Sequence, residues 1–143
     1  MRDARVWGMG FIAGLLAACS GGGSLPANAV KVTPVAGTES IMQCFAQEAE
    51  KLKYRILRID REGGFMDAER RDPSPDITVP REYAGGDRLV IDRLPKEDGV
   101  RPLSITPSTF LMEWLITGAN RRQRPTSERA IADAKTLAEN CRR

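Results

Sequence analysis

Two segments with clear helical periodicity flank a middle made only of extended stretches, and this order limits the folds available. In the first, Ile41, Phe45, Ala49 and Leu52 recur on one helix face, with Cys44 beside the stripe. Thr38 or Ser40 is placed to cap it, with Glu39 in the first turn and Gln43 three residues after Ser40. The second begins at Thr126, where Ala130, Ile131, Ala134, Leu137, Ala138 and Cys141 make a clean apolar stripe. "VKVTPV", Val30 to Val35, precedes the first helix and alternates like a strand, with Pro34 marking an edge or an end. "YRILRID" and "FMDAERR" read as two strands joined through "REGG", where Gly63-Gly64 supplies the positive φ of a tight hairpin. Asp72 to Asp87 holds three prolines and two glycines and reads mainly as loop. "RLVIDRL", Arg88 to Leu94, is the next strand, and "PKEDG" turns it. Arg101–Ile105 and Thr109–Thr117 read as extended, with a break near Pro107, and "GANRRQRP" as a basic connector.

The expected fold is α+β: one mixed or antiparallel sheet of about four to five strands with both helices on one face, in the order β-α-β-β-β-α. In "TFLMEWLIT" both alternating sets are apolar, Phe110, Met112, Trp114 and Ile116 on one side and Leu111 and Leu115 on the other. The second sheet face is therefore expected to be covered, by the 72–87 loop or by a partner.

Residues 1–18 stand outside that fold. Arg2 and Arg5 form a basic start, and Val6 to Ala18 carries no charge. Those 13 residues would span about 20 Å as a helix, short of the roughly 30 Å hydrocarbon core, so they read as a secretory signal. Leu16-Ala17-Ala18-Cys19 resembles the lipobox of bacterial lipoproteins. The resemblance implies a lipid on the Cys19 sulfur and cleavage before it. It also implies at least a diacylglycerol group, which holds a protein to a bilayer more firmly than one acyl chain. An ordinary signal peptide with an incidental cysteine is the alternative. Residues 19–29 then form a lipidated, flexible tether. Ser20 to Ala29 is rich in glycine and serine and reaches about 17 Å on average. Serine rather than aspartate at position 20 favours the outer membrane, facing the periplasm, in a two-membrane cell. Residues 30–143 are the single globular domain.

Three cysteines are present. With Cys19 committed to lipid, Cys44 and Cys141 remain in a chain expected in an oxidising space. Both lie on or beside apolar helix stripes that should meet over one sheet, so a Cys44–Cys141 disulfide is expected, with two separate buried thiols as the alternative.

The chain has no histidine, which removes the commonest general base and the commonest neutral metal ligand. It shows no Ser-centred nucleophile elbow, Walker loop or close-paired cysteines. Asp60, Glu62, Asp67 and Glu69 could supply a carboxylate pair, but around a hairpin they read as solvated charges. No enzyme activity, cofactor or metal is expected. The formal charge of +3 falls to +2 without residues 1–18, too weak to argue for nucleic acid. Arg121, Arg122 and Arg124, with Arg129 nearby, are the candidate anion-binding cluster, since arginine suits phosphate; a solvated turn is the alternative.

"AEKLKYRILRIDREGGFMDAERR", Ala49 to Arg71, resembles the helix-strand-hairpin unit of small envelope lipoproteins. These include the helix-grip modules of the lipoprotein C component of the outer-membrane β-barrel assembly machine. The likeness covers about 23 of 143 residues, and a second module of that family is absent. The element order also resembles the lipopolysaccharide-assembly lipoprotein. These resemblances imply an assembly or scaffolding role, with another envelope component as partner and the membrane reached through Cys19.

Overall fold

The computed structural model describes residues 24–72 and 85–142. The elements are β1 (Val30–Val32), α1 (Thr38–Lys51), β2 (Arg55–Asp60), β3 (Phe65–Asp72), β4 (Gly85–Arg93), β5 (Leu103–Leu115), β6 (Gly118–Arg124) and α2 (Glu128–Cys141). One antiparallel sheet of six strands has the order β1-β5-β4-β3-β2, and β6 pairs with β5. The α+β class is as expected, with more strands than four to five.

One segment accounts for the added strand. The basic 118–125 connector is largely strand β6, all seven residues of which are exposed. β5 runs through Pro107 without a break, because β1 pairs with Leu103–Ile105 and β6 with Thr109–Leu115. Pro107 falls in the interval between them, where a residue without an N–H is tolerated. The expected 72–87 loop is also shorter. β4 already includes Gly85, Gly86 and Asp87, and residues 73–84 lie outside the described residues. The two glycines are needed for close strand approach. A Cβ on Gly85 would lie 2.3 Å from the Phe110 carbonyl oxygen, and one on Gly86 2.0 Å from that of Arg70.

Both helices pack on one face and touch each other, α1 over β2 and β3, α2 over β1, β4 and β5. Met66, Ile91 and Ile105 face one another across three strands, with Ala68 opposite Leu89 in the next row. Met42, Phe45 and Ala49 of α1 and Ala134, Leu137 and Ala138 of α2 close the core over them. The α1 cap position falls on Gly37 (φ 35°), ahead of the expected Thr38 or Ser40, and no side chain caps it. The helix ends in a Schellman arrangement, with Lys53 N–H to Glu50 O and Tyr54 N–H to Ala49 O, both 2.9 Å. Lys53 takes the left-handed position at φ 68°. In the β2–β3 hairpin only Gly64 has the expected positive φ, 69°, while Asp60 accepts from the Gly63 N–H at 2.8 Å.

Cys44 on α1 and Cys141 on α2 meet at disulfide distance, sulfurs 1.95 Å and Cα atoms 5.7 Å apart. The helix packing that the stripes predicted brings them together.

Candidate functional site

Side chains alternate along the strands, so each strand sends one set towards the helices and one away. On the face that carries no helix among the described residues, the helix-free face, Glu69, Arg88 and Ser108 are directly opposed across β3, β4 and β5. In the next row Gly86 lies opposite Phe110, which lies opposite Gln123 of β6; Met112 and Arg121 follow. Gly86 leaves room for the Phe110 ring, whose Cζ would stand 3.0 Å from a Cβ there. The Arg121 guanidinium lies 4.1 Å from the Phe110 ring centroid and reaches Glu69 at 2.7 Å. Glu69 also accepts from Arg71 Nε at 2.6 Å. Arg88 grips Asp67 through Nε and one terminal nitrogen, at 2.7 and 2.6 Å. These bonds frame an open pocket of about 160 Å³ lined by Arg88, Ser108, Thr109, Phe110, Arg121 and Gln123.

A second cluster is buried on the helix side. Asp87 of β4 is fully buried. Its Oδ1 accepts from the Thr109 and Ser127 hydroxyls at 2.7 and 2.8 Å, and its Oδ2 from Arg129 Nε at 2.8 Å and Arg70 at 3.2 Å. Burial alone would raise this carboxyl's pKa; the four hydrogen bonds outweigh it and hold the pKa below the ordinary value. Arg70 also donates to Asp133 at 2.6 Å and to the Leu52 carbonyl at 2.9 Å, and lies 4.5 Å from the Tyr54 ring centroid. The Tyr54 hydroxyl donates to Asp133 at 3.0 Å, and burial pushes the phenol far above its usual pKa. Ser127 caps α2 by accepting from the Ala130 N–H at 3.1 Å. The Arg129 guanidinium is pushed above its usual pKa first by its bonds to Asp72, against burial, and then by Asp87. With donors on both oxygens and a lowered pKa, Asp87 is suited to holding α2 against the sheet and poorly suited to taking up a proton.

The four arginines read as one basic cluster are separated. On β6, Arg121 turns to the helix-free face, while Arg122 and Arg124 alternate to the other side. Arg122 pairs with Glu113 at 2.7 Å, and Arg129 belongs to the Asp87 and Asp72 network. Arg124 is exposed and has no ion pair among the described residues. Asp67 and Glu69 are not solvated hairpin charges: each is bonded to arginine, and Glu69 is 2% exposed. Asp60 serves the turn. Cys19 lies outside the described residues.

The Asp87 network escaped sequence reasoning, although parity held a signal for it. Arg70 shares its face of β3 with Met66 and Ala68, and Asp87 its face of β4 with Leu89 and Ile91. Asp133 is buried within the α2 stripe. Three charges at core-facing positions are a sign of a buried polar network. Among the described residues no group of His, Cys, Asp and Glu has metal-site geometry, and no helix is long and apolar enough to cross a membrane. No protein-family model and no curated protein matches this sequence.

Proposed function

We propose that this chain is a lipid-anchored, non-enzymatic domain of the cell envelope that binds another envelope component through the helix-free face of its sheet, in an assembly or scaffolding role. The Leu16-Ala17-Ala18-Cys19 junction supports the anchor. The observation that carries the binding role is the pocketed, arginine-lined surface of that face. Glu69, Asp67 and their arginines give it ordered polar groups, as recognition of a specific partner needs. The other reading, an anionic lipid or glycolipid held by residues 121–129, draws less support, since Arg121, Arg122 and Arg129 are bonded to carboxylates within the chain.

Two experiments test the proposal. Metabolic labelling with a fatty-acid analogue should mark the wild type and fail to mark Cys19→Ala; label retained on the variant would refute the anchor. Immobilised wild-type protein should capture a defined component from envelope extracts. Thr106→Lys, on the helix-free face, should abolish capture, while Lys135→Glu, on exposed α2 surface, should preserve it. Capture equally strong with Thr106→Lys would refute the binding face.

A further inference from the structure

We infer that the free edge of β6 takes up an extended segment of a partner protein, with acidic residues at alternate positions, as an added strand of the sheet. The inference rests on reading this chain as a binding domain, and it names the mode and chemistry of the contact. Its first support is an open backbone edge. Gly118–Arg124 of β6 pairs with β5 along one side and with no other strand among the described residues. No described helix packs on β6, and all seven of its residues are exposed. The outward N–H and C=O groups of alternate residues therefore face water, which makes them a template for strand addition.

The second support is the contrast with the other edge strands. Sheets guard their edges with short strands, bulges, prolines or charge. β1 is only three residues long. β2, at the far edge, is interrupted by a register shift between Ile56 and Arg58. β6 runs seven residues, about 23 Å, in unbroken register and without proline. Its guard is charge alone, and such a guard selects by sign. The third support is that sign. β6 carries Arg121, Arg122 and Arg124 and no acid. Glu69 matches Arg121 and Glu113 matches Arg122, while the exposed Arg124 side chain has no partner among the described residues. Arg122 and Arg124 stand two positions apart on one side of the strand, so acids at alternate positions of an added strand meet both. A second copy brings three more arginines and no acid to this edge, which disfavours pairing of β6 with itself. The remaining side chains of the added strand lie beside Arg121 and Gln123 and extend the pocketed face.

The test titrates the purified full chain, in a neutral detergent, with a short labelled peptide alternating valine and glutamate. Fluorescence anisotropy reads binding, and hydrogen exchange reads the backbone amides. Saturable binding with new protection confined to β6 is expected. The same peptide with lysine in place of glutamate should bind about tenfold more weakly. Arg124→Glu alters a side chain without a described partner, so the core stays intact. It should weaken the glutamate peptide about fivefold and tighten the lysine peptide. Lys135→Glu should bind like wild type. N-methylation of the peptide separates a strand ladder from mere charge attraction. On one alternate set of amides it should abolish binding and on the other leave it unchanged, because an added strand pairs through one edge. Absence of saturable binding, equal affinity for both N-methylated peptides, or protection outside β6 would overturn the inference. Protection of β6 in the chain alone that fades on dilution would assign the edge to a second copy and overturn it equally. The Thr106→Lys capture assay reads the binding face independently, so peptide failure beside intact capture by the wild type overturns the added strand alone.

Discussion

Asp87 on the helix side of the sheet and Glu69 on the other are both buried strand carboxylates held by two arginines, yet they serve different ends. The donors to Asp87 come from β3, β5, the α2 cap and α2 itself. Removing it would release several elements at once. The donors to Glu69 are Arg71 and Arg121, side chains 44% and 37% exposed at a surface. The same residue types therefore tie elements of the fold together on one side of the sheet and frame an open pocket on the other.

The largest expected effect is that of Asp87→Ala. It takes the shared acceptor from the Thr109 and Ser127 hydroxyls and a carboxylate partner from Arg70 and Arg129, and should cost about 3–5 kcal/mol, much of a small domain's total. Chemical denaturation measures this; a loss below 1 kcal/mol would remove the contrast between the faces. Opening the Cys44–Cys141 pair should follow. The pair closes nearly the whole domain, with a sequence separation of 97, and its loss should cost about 2–5 kcal/mol. Non-reducing peptide mapping should find the two cysteines linked, and a reductant should lower the melting temperature. Glu69→Gln should cost only about 1–2 kcal/mol, because its partners can rehydrate.

Acid sharpens the contrast. The pKa of Asp87 is lower in the folded than in the unfolded chain, so its contribution is complete above the usual carboxylate value, near 3.9, and is lost as pH falls through the lowered folded value. Wild-type stability should fall more steeply below about pH 4 than that of Asp87→Asn. The smallest effect concerns a single backbone position. Lys53 occupies a left-handed site that glycine fills without a Cβ clash, so Lys53→Gly should stabilise by about 0.5–1 kcal/mol.

What the sequence made legible followed periodicity. The α1 and α2 stripes came from apolar spacing, which reports a buried face directly; the β2–β3 hairpin came from its glycine turn, and the meeting of Cys44 with Cys141 from the stripes together with the expected oxidising space. β6 was hidden because Arg-Arg-Gln-Arg on an exposed edge has no apolar alternation to reveal it. The start of β4 was hidden because Gly85-Gly86, which the sheet needs for close approach, also reads as loop. The pocket draws Arg88, Ser108 and Phe110 from strands far apart in sequence from Arg121 and Gln123, and only the register aligns them.

The central claim is that the helix-free face is the working face of an anchored domain. Site-specific photocrosslinking in intact envelopes tests it most directly, with the probe placed in turn at Thr106, at Gln123 and, on exposed α2 surface, at Lys135. Discrete adducts from Thr106 and Gln123, with none from Lys135, are the predicted result. Adducts from Lys135 alone would contradict it and assign recognition to the helices.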